Sequence, residues 1–173
     1  MAPDQVPDRA PAADVSRMVT EHGTRLLRFA YLYLKDLHLA EDAVQEAFLK
    51  ASLHYHRFRA DSSELTWLTA ITLNCCRGIR RSAWFRTAQR SVPVDALALA
   101  EKETAWPDDS LLQEVMRLPA KYKEILLLYY YQQLPLKDIA AMLRMNESTL
   151  SSRLKRARAM LKKHIEGWWF DGE

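Results

Sequence analysis

Apolar positions recur at helical spacing through most of the chain, in two groups separated by a stretch without period. In the first group Met18, Val19, Leu26, Phe29, Ala30 and Tyr33 share one side of a helix from about Val15 to Leu34, weakened locally by Gly23. Asp36 to His38 reads as a short connection. Ala43, Val44, Ala47, Phe48 and Ala51 then line a second helix from about Leu39 to Arg57. A loop from Phe58 ends in the N-cap candidates Asp61 to Ser63 and feeds a third helix, Glu64 to Arg81. Its inward side carries Leu65, Leu68, Ile71, Thr72, Cys75, Cys76 and Ile79.

The period breaks from Ser82 to Pro107, where Pro93 and Pro107 mark a linker. Beyond it, Asp108 to Ser110 can cap a helix running to Leu118, and Pro119 suits the first turn of another, Ala120 to Tyr131. The run Ile125 to Tyr131 is so apolar that the segments after it must cover it. Those segments are two more helices. Leu136, Ile139, Ala140 and Leu143 define the first, about Leu136 to Leu143. After a tight turn at Arg144 to Asn146, Leu150, Leu154, Ala157 and Leu161 stripe the second, with Asn146 as its N-cap. The fold class is therefore all-α, with two small helical domains joined by a flexible linker. The expected divisions are a flexible N-terminal tail over 1–13, a first domain over 14–85, the linker over 86–107 and a second domain over 108–173.

The polar face of the last helix adds chemistry to this outline. At about 100° per residue, Ser148, Ser152, Lys155, Arg156 and Lys163 point away from the apolar stripe, flanked by Ser151, Arg153 and Arg158. A short helix, a turn, then a helix with hydroxyls first and cations later has the form of a helix-turn-helix. Short hydroxyls let a helix N-terminus approach base edges, while Lys and Arg neutralise phosphates. The bland alternative is a helical hairpin with a solvated basic face.

Composition changes the picture little. Hydrophobic residues make up 49% of the 173, enough for packed cores, and the net charge of +3 matters less than the clustering of bases near Arg77 to Arg90 and Arg153 to Lys163. Cys75 and Cys76 are the two cysteines, and as neighbours they suit neither a disulfide nor a zinc site. They point to a reducing compartment. Met1 to Asp14 contains Pro and Asp rather than an apolar stretch, so no cleavable signal is expected, and no apolar run approaches the roughly 20 residues that span a bilayer. A cytoplasmic protein is expected. The tail Trp168 to Phe170 is expected to pack on the second domain.

Two polar faces in the first domain remain. Asp42 and Glu46 are i, i+4 neighbours with Glu41 and Gln45 alongside. They could form a protein-binding surface, a solvated acidic face, or two ligands of a divalent metal. The third helix presents Trp67, Ala70, Asn74, Arg77 and Arg81 opposite its apolar side, flanked by Thr66 and Arg80. An exposed Trp among amide and guanidinium groups suits unstacked bases: Trp stacks, Asn hydrogen-bonds, Arg holds phosphate. Packing of Trp67 against a neighbouring helix is the alternative.

Three motifs carry a family resemblance: Ala40-Glu-Asp-Ala-Val-Gln-Glu-Ala-Phe-Leu-Lys50, Thr66-Trp-Leu-Thr-Ala-Ile-Thr-Leu-Asn74, and Leu118-Pro-Ala-Lys-Tyr-Lys-Glu-Ile-Leu-Leu-Leu128 continuing to Ser152-Arg-Leu-Lys-Arg-Ala-Arg158. In this order and separation they resemble the extracytoplasmic-function (ECF) group of bacterial RNA polymerase sigma factors. The resemblance implies a region two and a region four, a linker threading toward the polymerase active centre and RNA exit path, and no catalytic activity, cofactor or metal. Asp42, Gln45, Glu46 and Leu49 would dock on core RNA polymerase. Arg59, Asp61, Ser62 and Ser63 would capture a flipped base of the minus-ten element, with Trp67, Asn74, Arg77 and Arg81 on the melted strand. Ser148, Thr149, Ser151, Ser152, Arg153, Lys155, Arg156 and Arg158 would face the minus-35 duplex. Core polymerase, promoter DNA and an anti-sigma factor are the expected partners, with no membrane insertion. The chain departs from the family pattern at Pro135, Arg144, Asn146, Ser148 and Ser151, where a capping hydroxyl, Gly, Pro, Gly and Lys or Arg are common.

Two other functions fit parts of the pattern. A free-standing helix-turn-helix regulator would explain the second domain but has no need of the Trp67, Asn74 and Arg77 face. A metal-dependent all-α hydrolase using Asp42 and Glu46 would need further convergent ligands.

Overall fold

The computed structural model describes the backbone over 12–82 and 109–170, and side chains over 14–82 and 111–163. The chain divides into two compact units, Met1–Ala96 and Leu97–Glu173. The expected tail up to Pro11, the linker over 86–107 and the side chains of Trp168 to Phe170 lie outside the described residues.

In the first unit α1 (Ala12–Leu34), α2 (Leu37–His54) and α3 (Glu64–Arg81) pack pairwise against one another. α1 starts at Ala12 rather than Val15. It ends at Lys35, whose φ of 59° is left-handed and whose N–H donates to the Tyr31 carbonyl at 2.7 Å. Asp36 is extended and its carboxylate accepts from the Leu39 N–H at 2.9 Å, so α2 opens at Leu37. The connection is therefore two residues long, not Asp36 to His38, because one left-handed residue turns the chain. α2 tightens after His54 into a 3-10 turn, Tyr55–Arg57, which takes up the end of the helix expected to reach Arg57. Ser63 caps α3, accepting from the Thr66 N–H at 3.1 Å.

Ala40, Ala43, Ala47 and Ala51 of α2 are all buried, and their small side chains let α1 and α3 approach closely. Met18, Leu26, Phe29, Ala30, Tyr33 and Leu34 fill the core from α1, and Leu68, Leu73 and Cys76 from α3. Fully burying one such large side chain contributes about 1.5–3 kcal/mol. Val19 does not join them. Helical spacing sets it about 100° from Met18, which takes the core seat, and Val19 stays 45% exposed. Thr66 and Thr69 are buried as well, so the covered arc of α3 is wider than its apolar side alone; Leu65, Ile71 and Ile79 are half-buried at its edges. Thr72 satisfies its buried hydroxyl by donating to the Leu68 carbonyl at 2.8 Å. Cys75 and Cys76 are buried and not joined in a disulfide, and burial, with the Glu46 carboxylate nearby, pushes the Cys75 thiol up.

The described part of the second unit holds α4 (Asp109–Arg117), α5 (Ala120–Leu126), α6 (Leu136–Leu143) and α7 (Glu147–Phe170). α7 is the common partner, touching α4, α5 and α6. Pro119 opens α5 from an extended conformation. The helix expected to reach Tyr131 instead widens at Leu127–Tyr131 into a π-helical turn, closed by the Gln132 N–H on the Leu127 carbonyl at 2.9 Å. Leu127, Leu128 and Tyr131 remain buried through this turn, while Tyr129 is half-buried and Tyr130 exposed.

Candidate nucleic-acid interface

α6 and α7 meet through a turn built from four bonds. Arg144 sits left-handed at φ 54°, its N–H on the Ala141 carbonyl at 3.2 Å, and the Met145 N–H reaches the Ala140 carbonyl at 3.0 Å. This pair of bonds is the Schellman closure of a helix C-terminus. Asn146 then caps α7: its side-chain oxygen accepts from the Thr149 N–H at 2.7 Å and the Ser148 hydroxyl at 2.9 Å. Leu150, Leu154 and Ala157 are buried beneath α7, with Leu161 half-buried. On the outer face Ser148, Ser151, Ser152, Lys155, Arg156 and Lys163 are exposed, and Thr149 and Arg153 are half-buried at its edges. Arg158 is exposed too, but tyrosines of the π turn hold it: Tyr130 Oη accepts from its Nε at 2.6 Å. A helix whose exposed face carries hydroxyls in its first turns and cations in its later turns has the chemistry that a DNA major groove and its flanking phosphates accept.

In the first unit the loop before α3 and the outer face of α3 form a second polar surface. Arg59, Asp61 and Ser63 are exposed and Ser62 half-buried, with Ala60 left-handed at φ 58° between them. Trp67 is half-buried rather than exposed: its ring lies 5.2 Å from Phe58 and 6.3 Å from Tyr55, centroid to centroid. It braces the loop and the 3-10 turn while keeping one part open. Thr66, read as a flank of this face, is buried, with its hydroxyl 2.9 Å from that of Ser63. Asn74 and Arg81 are exposed and Arg77 half-buried. Arg80 turns inward, donating to Tyr33 Oη at 3.3 Å.

Sequence reasoning missed what fixes the start of α3. Glu64 accepts from both terminal nitrogens of Arg17, at 2.6 and 3.0 Å, and lies 3.0 Å from His22 Nε2. The Arg17 guanidinium and His22 hold the Glu64 carboxyl below its usual range against the opposing effect of burial. Arg17 and Glu64 are far apart in sequence, and nothing local in either stretch announces the pair.

The third surface is the outer side of α2. Asp42, Gln45, Glu46, Leu49 and Leu53 are exposed together, Leu49 by 53% and Leu53 by 44%. Two leucines one turn apart beside acids suit a protein partner better than bulk water. Glu46 is paired with Lys50 at 2.6 Å. Among the described residues the grouping close enough to hold a metal is Glu21, His22 and Glu64, and Arg17 already occupies both carboxylates. Asp42 and Glu46 are not part of it. Also among the described residues, no helix is long and apolar enough to cross a membrane.

These surfaces fall within two matched family descriptions, Sigma-70 region 2 over residues 18–86 and Sigma-70 region 4 over residues 108–161. The ECF RNA polymerase sigma factor SigM of Mycobacterium tuberculosis (strain ATCC 25618 / H37Rv) is 30% identical over 149 residues, covering 85% of this chain and 74% of that protein. The chain is an ECF sigma factor. The probable RNA polymerase sigma factor RfaY of Xanthomonas campestris is 31% identical over 158 residues, 86% of this chain, but the match spans only 40% of that longer protein. The solved structure of CnrH in complex with the cytosolic domain of CnrY has the same fold, with a TM-score of 0.69 at 22% identity over 91% of each chain. Sigma factors are not a family of catalytic enzymes, which disfavours the hydrolase reading, and region 2 beside region 4 is more than a free-standing regulator needs.

Proposed function

We propose that this sigma factor binds core RNA polymerase, recognises minus-35 and minus-ten promoter elements, and promotes strand opening, with no chemistry of its own. The observation that carries the reading is the outward face of α7, hydroxyls then cations, docked through Leu150, Leu154 and Ala157 behind α6. In this reading Ser148, Thr149, Ser151, Ser152, Arg153, Lys155, Arg156 and Arg158 meet the minus-35 duplex. Arg59, Asp61, Ser62, Ser63, Trp67, Asn74, Arg77 and Arg81 meet the minus-ten element once melted. Asp42, Gln45, Glu46 and Leu49 dock on the polymerase. Residues 14–85 and 108–173 act as separate domains with 86–107 as the connection between them, and the protein works in the cytoplasm. An anti-sigma factor is the expected inhibitor; the fold match to CnrH bound to CnrY supports looking for one.

The test is reconstitution with core enzyme followed by run-off transcription on a genomic library. Discrete start sites that require this chain are the expected result. Failure to associate with core polymerase would overturn the proposal in favour of a free-standing DNA-binding regulator.

A further inference from the structure

Ser151, Lys155 and Arg158 run down one flank of α7 at helical spacing, and the π turn of Leu127–Tyr131 meets the lower end of that strip. Arg158 is gripped there from two sides. Its Nε donates to Tyr130 Oη at 2.6 Å, and its guanidinium carbon stands 5.5 Å from the ring centroids of both Tyr129 and Tyr130. The rings meet edge to face, 4.9 Å apart and 88° between planes. An arginine on a helix surface ordinarily samples many rotamers, and ordering it costs entropy when it binds. Here the hydrogen bond and the ring faces fix its direction beforehand. A π turn departs from the regular helix and is frequent at functional sites.

The position also limits what Arg158 can read. It lies roughly a quarter-turn around α7 from the line through Ser148, Ser152 and Lys155. Its Nε proton is committed to Tyr130, which leaves the terminal amino groups for an outside acceptor. A phosphate at the groove edge suits a fixed guanidinium in that place better than a base edge on the groove floor.

We propose that Tyr129 and Tyr130 are positioning residues for promoter binding: they hold Arg158 as a fixed phosphate contact at the rim of the recognition helix, leaving base reading to Ser148, Ser152 and Lys155. This rests on the helix-turn-helix reading above. The tyrosines raise affinity for any sequence by lowering the cost of ordering Arg158.

The experiment uses holoenzyme made from core polymerase and the full chain. The probe is the upstream duplex of a promoter whose start site the run-off assay has mapped, with the element intact or scrambled. Tyr130→Phe keeps the ring and removes the acceptor, so a loss of about threefold is expected, and Arg158→Ala should lose about tenfold, corresponding to about 1.4 kcal/mol. Both losses should be alike on intact and scrambled probes. The double variant should bind no worse than Arg158→Ala alone, because the hydroxyl acts through the guanidinium. Arg158→Ala should lower the slope of log affinity against log salt by about 0.9, whereas Tyr130→Phe should leave it unchanged. Additive losses, a loss confined to the intact element, or an unchanged salt slope for Arg158→Ala would each overturn the proposal. Lys155→Ala with Arg156→Ala is the control: if that pair costs nothing, the helix-turn-helix reading itself fails. If the pair costs affinity while Tyr130→Phe and Arg158→Ala do not, only the positioning role falls.

Discussion

Replacing Trp67 by alanine separates a role in the fold from the proposed role on DNA, because the ring is packed on one part and open on another. Trp67 meets Phe58 at 5.2 Å and Tyr55 at 6.3 Å and is half-buried. Each aromatic pair is worth about 0.5–1.5 kcal/mol beyond area, and truncating a fully buried aromatic costs about 3–5 kcal/mol. A half-buried ring with two partners should then cost about 2 kcal/mol, which for a unit of this size lowers the melting temperature by about 10 °C. Stacking on an unpaired base adds about 1–3 kcal/mol, available only once the duplex has opened. At a temperature where the variant remains folded, closed-complex formation should be unchanged. Permanganate reactivity at promoter thymines should fall about tenfold, and a premelted bubble template should recover much of the lost transcription. Tyr55→Leu provides the comparison, since it loosens the same cluster without removing the ring that stacks. It should lower the melting temperature and spare opening. Equal loss of transcription on duplex and bubble templates by folded Trp67→Ala would refute the reasoning and leave Trp67 a packing residue only.

Three further outcomes follow from particular contacts. Asp42→Arg with Glu46→Arg should abolish association with core polymerase in a pull-down while the circular dichroism spectrum stays helical, because both side chains are exposed on α2. The Glu64 carboxyl is held below its ordinary value of 4.5 by Arg17 and His22, so its contribution to stability is complete above that pH and is lost as pH falls through the lowered value. Glu64→Gln should therefore be less stable than the parent at neutral pH, and the difference should shrink on acidification in a series of thermal melts. Arg144 takes a left-handed conformation that costs an L-residue about 1–2 kcal/mol, part of which glycine returns through its freer unfolded chain, so Arg144→Gly should stabilise the second unit by about 0.5–1 kcal/mol in urea titrations.

Much of the helical outline was legible because its signals are local. Glu64–Arg81 and the helix opening at Glu147 stand where the apolar period and the caps Ser63 and Asn146 put them, and Leu136–Leu143 where its apolar period does. Local signals fail where the backbone breaks a rule without a marker. Lys35 is left-handed with no glycine to announce it, so the sequence pattern puts the start of α2 at Leu39 rather than Leu37. The run Ile125 to Tyr131 is apolar at nearly every position and thus has no period from which a π turn could be told from an α-helix. At the candidate surfaces, side-chain identity and helical phase placed Asn74, Lys155 and Arg156 outward, but neither could show what lies across from a residue. The bracing of Trp67 by Phe58, the Arg17–Glu64 tie and the grip of Tyr130 on Arg158 join residues on different elements. Only the packed chain brings such partners together.

The two cysteines, silent in every functional role above, make the first unit its own stopwatch. Both are buried side by side on α3, the chain has no other thiol, and burial raises the Cys75 thiol so that its reactive thiolate is scarce in the closed state. An alkylating reagent in native buffer can reach them only when the helices part. The rate of modification therefore records how often the three helices separate, with no foreign label attached. Followed with and without core polymerase, that rate tells whether docking tightens the unit or loosens it before DNA arrives.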